Sequence, residues 1–262
     1  MKGVFSVLAM LVLGGSAALA GDMTISSTTT NGDRAVSERL SVADSRLAIT
    51  QGDVGCVVEM ATGSIRMFDM ARREHFETSL QELAAYGNRL LPKNKLARKI
   101  MRRMFMDVAI KKMKERRTIA GYECELYEEE AAGVTYRIWA TKALIPPSSF
   151  CETMEKIYAS ACPLGDPLSP IYAAMRKARA MPLSITLSGT RVSLVGTLSA
   201  ALTNIEQAMG LPAPSSSPPA EEMLRSSEAV EVSLDPIPDE RFQIPPDLKQ
   251  VDSPFAKKKG KS

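Results

Sequence analysis

From Met23 to Ser79 the chain alternates apolar and polar residues in short runs, and a period of two demands strands rather than helices. "MTISSTTT" (Met23 to Thr30) is the first run. "AVSERLSVADSRLAIT" (Ala35 to Thr50) reads as two strands broken at Ala43-Asp44, and "CVVEMATGSIRMFDM" as a hairpin turning at Thr62-Gly63. "EHFETS" pairs next. Successive hairpins of this kind suggest an antiparallel meander.

The remainder adds helices and a second group of strands. "SLQELAAYGNRLL" opens a helix, with Ser79 as N-cap and Glu82 three residues on, the spacing of a capping box. Strands resume in "RRTIAGYECELYEEE" and "GVTYRIWATKA", joined at Ala131-Ala132-Gly133. Two helices follow, "SSFCETMEKIYASA" and "LSPIYAAMRKARAM", then alternation in "PLSITLSGTRVSLVGTLSA" and a last strand in "EAVEVSLDPI". The expected class is α+β, an antiparallel sheet with helices gathered on one face, in one domain.

The first twenty residues read as a secretory signal peptide: a positive start at Met1 and Lys2, an apolar run from Val4 to Leu13, and small residues at Ala18 and Ala20. The mature chain is expected to begin near Gly21 and to be periplasmic. No Cys stands at the cleavage point, so no lipid anchor is indicated. The expected layout is residues 1–20 leader, 21–252 one domain, and 253–262 a disordered basic tail. Within the domain, a helical insertion falls near 147–180 and a Ser/Pro-rich loop near 212–221.

Charge is balanced overall, 33 basic against 30 acidic residues, but it is unevenly placed. Lys2 and Lys257, Lys258, Lys259 and Lys261 belong to leader and tail, which leaves the body close to neutral. The exception is "KNKLARKIMRRMFMDVAIKKMKERR" (Lys93 to Arg117), with eleven basic and two acidic side chains. Read as a helix, it sets Ala97, Met101, Met104, Phe105 and Val108 along one stripe and turns Lys95, Arg98, Lys99, Arg102 and Lys112 outward. Two readings follow: ordinary core beneath solvated charge, or a Met- and Phe-lined cavity wall whose basic face meets an anionic membrane surface or lipid headgroups.

Four cysteines, Cys56, Cys124, Cys151 and Cys162, permit disulfides in an exported chain, in three pairings that sequence does not separate. The favoured pairs are Cys151 with Cys162 and Cys56 with Cys124; the alternative for Cys124 is a buried small hydrophobe. No metal site or cofactor is indicated, since His75 is the only histidine and no Cys-x-x-Cys occurs.

Several stretches carry a resemblance to a family. "RLAITQGDVGCVVEMATGSIRMFDMARREHFETSLQEL", "RRTIAGYECELYEEEAAGVTYRIWATKA" and "DERFQIPPDLKQV" resemble a family of exported bacterial proteins of unknown function. The sharpest part is the Ile-Ala-Gly-Tyr-x-Cys core leading to a Trp-bearing strand, Tyr122 to Trp139. The resemblance implies the curved antiparallel half-barrel of the periplasmic lipoprotein carriers (LolA-like), with helices on the concave side and an apolar hollow. The helices around Cys151 and Cys162 and the loop near Ser215 look like additions to it.

Enzyme signatures are missing from the sequence. It has no Gly-x-Ser-x-Gly elbow and no Gly-x-Gly-x-x-Gly fingerprint, and the terminal Gly260-Lys261-Ser262 lacks the upstream Gly of a phosphate loop, Phe255 standing there instead. Glu128, Glu129 and Glu130 read as a solvated hairpin end, and Tyr122 and Trp139 as packing aromatics. The expectation is a non-enzymatic carrier or sensor of a hydrophobic or lipidic ligand, with lipid or lipoprotein as partner. The alternative is a structural or protein-interaction module of the envelope; nucleic acid is not expected as a partner of an exported chain.

Overall fold

The computed structural model describes residues 21–31, 34–90, 93–94, 110–131, 134–161, 168–189 and 222–256. Six strands come first: β1 (Met23–Asn31), β2 (Arg34–Val42), β3 (Arg46–Gln51), β4 (Val54–Glu59), β5 (Ser64–Asp69) and β6 (Glu74–Ser79). The helix α1 (Leu80–Leu90) leads away from them to β7 (Lys111–Ile119), β8 (Tyr122–Ala131) and β9 (Val134–Thr141). Helices α2 (Ser148–Ala161) and α3 (Leu168–Ala178) precede β10 (Met181–Gly189), β11 (Glu222–Ser233) and a two-residue β12 (Lys249–Gln250). The α+β expectation describes this architecture.

All twelve strands form one sheet, in the order β12-β6-β5-β4-β3-β2-β1-β11-β10-β9-β8-β7. Two runs of neighbours in sequence are thus joined by one long-range seam, the antiparallel pairing of β1 with β11, in which Ile25 lies opposite Val232 and Thr28 opposite Glu228. Every pairing is antiparallel except β12 on β6.

Register explains why the strands alternate. Leu40 lies opposite Ile49, Leu47 opposite Val58, Val58 opposite Ile65, and Met67 opposite Phe76. These residues share one face and one core with Phe150 and Met154 of α2 and Ile171 and Met175 of α3. The other face is covered over β3 and β4 by the segment after β11, where Ala48 and Val57 pack with Ile237 and Phe242. Arg46 lies 4.4 Å over the Phe242 ring and bonds Asp239 at 2.7 Å, so an exposed 3-10 turn (Asp239–Phe242) is tied down at both ends.

Local chemistry sets the element ends. Glu82 donates its backbone N–H to Ser79 Oγ at 3.1 Å, and Thr78 Oγ donates to Glu82 Oε2 at 2.9 Å, so Ser79 caps α1 as its position demands. The stretch "RRTIAGYECELYEEE" holds a turn, between Ile119 at the end of β7 and Tyr122 at the start of β8. Ala120 (φ 48°) and Gly121 (φ 84°) both adopt the left-handed region, as a two-residue type I′ hairpin requires. A second difference concerns the basic segment. Its end, Lys111 to Arg117, is not helix but edge strand β7, because it lies opposite the acidic β8 and pairs with it. The helical reading of residues 95–109 falls outside the described residues.

The far end of the sheet bends sharply. Arg117 on β7 reaches Glu228 on β11 at 2.7 Å, although β8, β9 and β10 lie between them in the sheet and four flat strand spacings would hold the two backbones about 19 Å apart. Its guanidinium also stands 4.6 Å over the Trp139 ring on β9. Arg117, Trp139 and Glu228 therefore line the inside of a roll, on the face opposite to the one carrying Tyr127 and Ile138. Register shifts in β7, β10 and β11 supply the curvature.

The tail expected to be disordered from residue 253 is instead anchored as far as Phe255. That ring is 1% exposed, packed edge-on against Tyr86 (5.2 Å) and Phe76 (5.9 Å), and Arg89 donates to its carbonyl at 2.7 Å. An aromatic held by two rings and a charge-assisted bond outweighs the entropy of a short terminal segment.

Two measurements check this account. Phe255→Ala should lower unfolding free energy by about 3 kcal/mol in urea titration, the usual cost of emptying an aromatic site. Ala120→Asn, which puts a residue suited to the left-handed region into the turn, should raise it by about 0.5–1 kcal/mol.

Candidate functional site

The helix α3 reads "LSPIYAAMRKA", and its two sides differ in size. Ile171, Tyr172 and Met175 are buried and fill the core. Pro170, Ala174 and Ala178 follow at intervals of four, on one helical face, and their side chains are small. The space left is an open cleft of about 530 Å³ between α3 and the β7–β8 hairpin, walled by these three residues with Ile110 and Tyr127. That volume lies within the range of small-molecule sites.

Three lysines rim the cleft: Lys112 from β7, Lys142 just after β9, and Lys177 from α3. Lys112 and Tyr127 lie directly opposite each other on the hairpin, so both face the same side. Glu125, two residues before Tyr127 on that face, organises the basic groups. It accepts from Lys112 Nζ at 2.9 Å and lies 3.7 Å from Arg116 and 3.9 Å from Lys142. The Lys112 hydrogen bond holds its carboxyl below the ordinary value of 4.5. Burial, then the Glu125 charge, pushes the Tyr127 phenol upward. Lys177 has no ion-pair partner among the described residues, so the cleft carries an excess of positive charge over an apolar wall.

A second cavity, about 180 Å³, lies where the C-terminal segment crosses β5 and β6. Its charges include Asp69, Arg72, Glu74 and Asp252, and Arg72 is already held by Asp69 at 3.4 Å. Among the described residues no group of His, Cys, Asp or Glu is arranged to hold a metal ion.

Of the candidate residues read from sequence, Lys112 is in the cleft. Met101, Met104, Phe105, Val108, Lys95, Arg98, Lys99 and Arg102 lie outside the described residues, as does Cys162. The disulfides are corrected: Cys56, Cys124 and Cys151 are free thiols. Cys56 on β4 and Cys124 on β8 are separated by six strands of the sheet, far beyond the reach of a disulfide. Burial first of all pushes each of the three thiols up to about 11. The acidic run is also reassigned in part: Glu128 bonds Arg137 at 3.0 Å, while Glu129 is buried opposite Tyr136 rather than solvated. Trp139 stacks under Arg117. Sequence reading missed Lys142, Lys177, Ala174 and Ala178; the small-residue interval in "SPIYAAMRKA" was the available signal.

No protein-family model matches the chain, so the expected membership of an exported family gains no support there. No curated protein matches it either. Among solved structures it is similar to MucB (7% identity, TM-score 0.37), covering 87% of this chain and 59% of that one. It is similar also to the Pseudomonas aeruginosa MucA/MucB complex (9%, 0.40; 90% and 60%). A third likeness is to PNGF-II (10%, 0.39; 89% and 32%). The chain thus spans between a third and three fifths of the length of these proteins, and at this similarity neither their partners nor their activities transfer to it.

The thiol assignment has a direct check. Protein isolated without reductant should resist iodoacetamide at neutral pH when native, because the thiolate is scarce and Cys124 and Cys151 are buried. After unfolding, still without reductant, mass spectrometry should find Cys56, Cys124 and Cys151 alkylated.

Proposed function

We propose that the chain is an exported, non-enzymatic carrier or sensor that takes a hydrophobic or lipidic ligand in the cleft between the β7–β8 hairpin and α3. The observation that carries the reading is the cleft itself. A 530 Å³ opening whose apolar wall is kept clear by Ala174 and Ala178, with lysines on its rim, suits a molecule with one apolar and one polar end. The leader-like residues 1–20 support export and a periplasmic location. The large bent antiparallel sheet supports the half-barrel of the lipoprotein carriers as its fold, with lipid or lipoprotein as partner and an anionic membrane surface as the place of loading.

One observation favours a second reading, an envelope interaction module. Strand β7 ends the sheet, and its Lys111 and Lys114 are exposed without ion-pair partners among the described residues. A basic edge of this kind accepts an added strand from another protein, though charges on edge strands also guard against pairing.

Native mass spectrometry on the mature chain purified from its own envelope separates the two. The carrier reading expects a non-covalent, lipid-sized mass increment. Ala174→Trp, which fills the cleft from an incompletely buried helix position, should abolish that increment while leaving the melting temperature within a few degrees. An empty chain bound to a single stoichiometric protein partner would replace it with the second reading.

A further inference from the structure

We infer that the ligand's polar end is an acid, seated between Lys142 and Lys177, and that Glu125 is the resident counter-ion which sets how strongly that acid is held. The inference rests on the carrier reading and deepens it from a lipidic ligand in general to an acidic amphiphile.

The three lysines of the cleft are not equivalent. Lys112 is committed: its ammonium donates to Glu125 Oε1 at 2.9 Å, a charge-assisted bond that fixes it against β8. Lys142 stands 3.9 Å from Glu125 Oε2, too far for a hydrogen bond, so it feels the carboxylate without being held by it. Lys177, on the opposite wall, faces no carboxylate among the described residues. An incoming anion therefore finds two uncommitted ammonium groups, one from each wall.

Glu125 has the placement of a counter-ion built into the site. Its side chain is only 17% exposed, and Lys112, Arg116, Lys142 and the Tyr127 hydroxyl surround it. A carboxylate this far from solvent costs free energy, and neighbouring positive charge offsets that cost. The same negative charge repels an acidic headgroup arriving at Lys142. Removing it weakens the hold on Lys112 and leaves all three lysines free to meet the anion. A neutral headgroup of the same size has no such sensitivity.

The test titrates the full mature chain by calorimetry at pH 8 and low salt with two probes below their micelle concentrations, dodecanoate and its neutral glycerol monoester. Dodecanoate is expected to bind at least tenfold more tightly. Lys177→Gln, at an exposed position on α3, should remove most of that difference by weakening dodecanoate alone. Glu125→Gln should strengthen dodecanoate several-fold and leave the ester unchanged. Circular dichroism melts confirm that both variants are folded. Equal binding of the two probes, or a Lys177→Gln variant that weakens both alike, overturns the acid seat while the carrier reading stands. Dodecanoate affinity unmoved in a folded Glu125→Gln overturns the role of Glu125. Failure of both probes to bind overturns the carrier reading and this inference with it.

Discussion

The pairing of β1 with β11 is the contact on which the rest of the sheet depends. Without it the chain holds two separate meanders, β1 to β6 and β7 to β11, each with one apolar face and no common core. With it, the apolar faces become continuous and α1, α2 and α3 have a single surface to cover. The seam is rich in Ser and Thr, and it is tied by side chains as well as backbone: Thr29 Oγ1 donates to Glu38 Oε2 on β2 at 3.1 Å and bonds the Ser227 hydroxyl across the seam at 3.0 Å. Buried hydroxyls with partners lock a register that apolar residues alone would leave free to slip.

Curvature at the β7 end follows from the same wiring. Once β11 is fixed beside β1, the bulged strands beyond it turn back until Arg117 meets Glu228. That bridge is half exposed and contributes on the order of 1 kcal/mol, so it pins the bend rather than creating it. The cleft lies on the other face of the same hairpin, between Tyr127 and the small residues of α3. Within the hairpin Glu123 and Glu125 hold Lys112 and Arg116; of β7 only Lys112 reaches the cleft, whose two other lysines come from beyond β9 and from α3.

Strand alternation, the Ser79 cap and the two helices after Pro147 were legible because each is a local pattern with a local cause. The β7–β8 hairpin was not, and the reason is instructive. "KKMKERRTI" has the composition of a solvated helix, and only its opposition to the acidic β8 makes it a strand. Non-local pairing overrode local propensity. The turn hid for a related reason: Ala120 is an unusual residue for a positive φ, so Ala-Gly does not announce a type I′ hairpin as Asn-Gly does. Of the site, Lys112 was named from charge alone. Lys142 and Lys177 were missed because they lie on different elements, which only the fold brings to one rim. The cysteines misled because an even count says nothing about distance across a sheet.

The buried Phe255 ring has a consequence for how such a chain is made. It packs against β6 and α1, elements completed some 165 residues earlier in the chain. During synthesis those two elements wait with this flank of the core uncovered until the ring arrives.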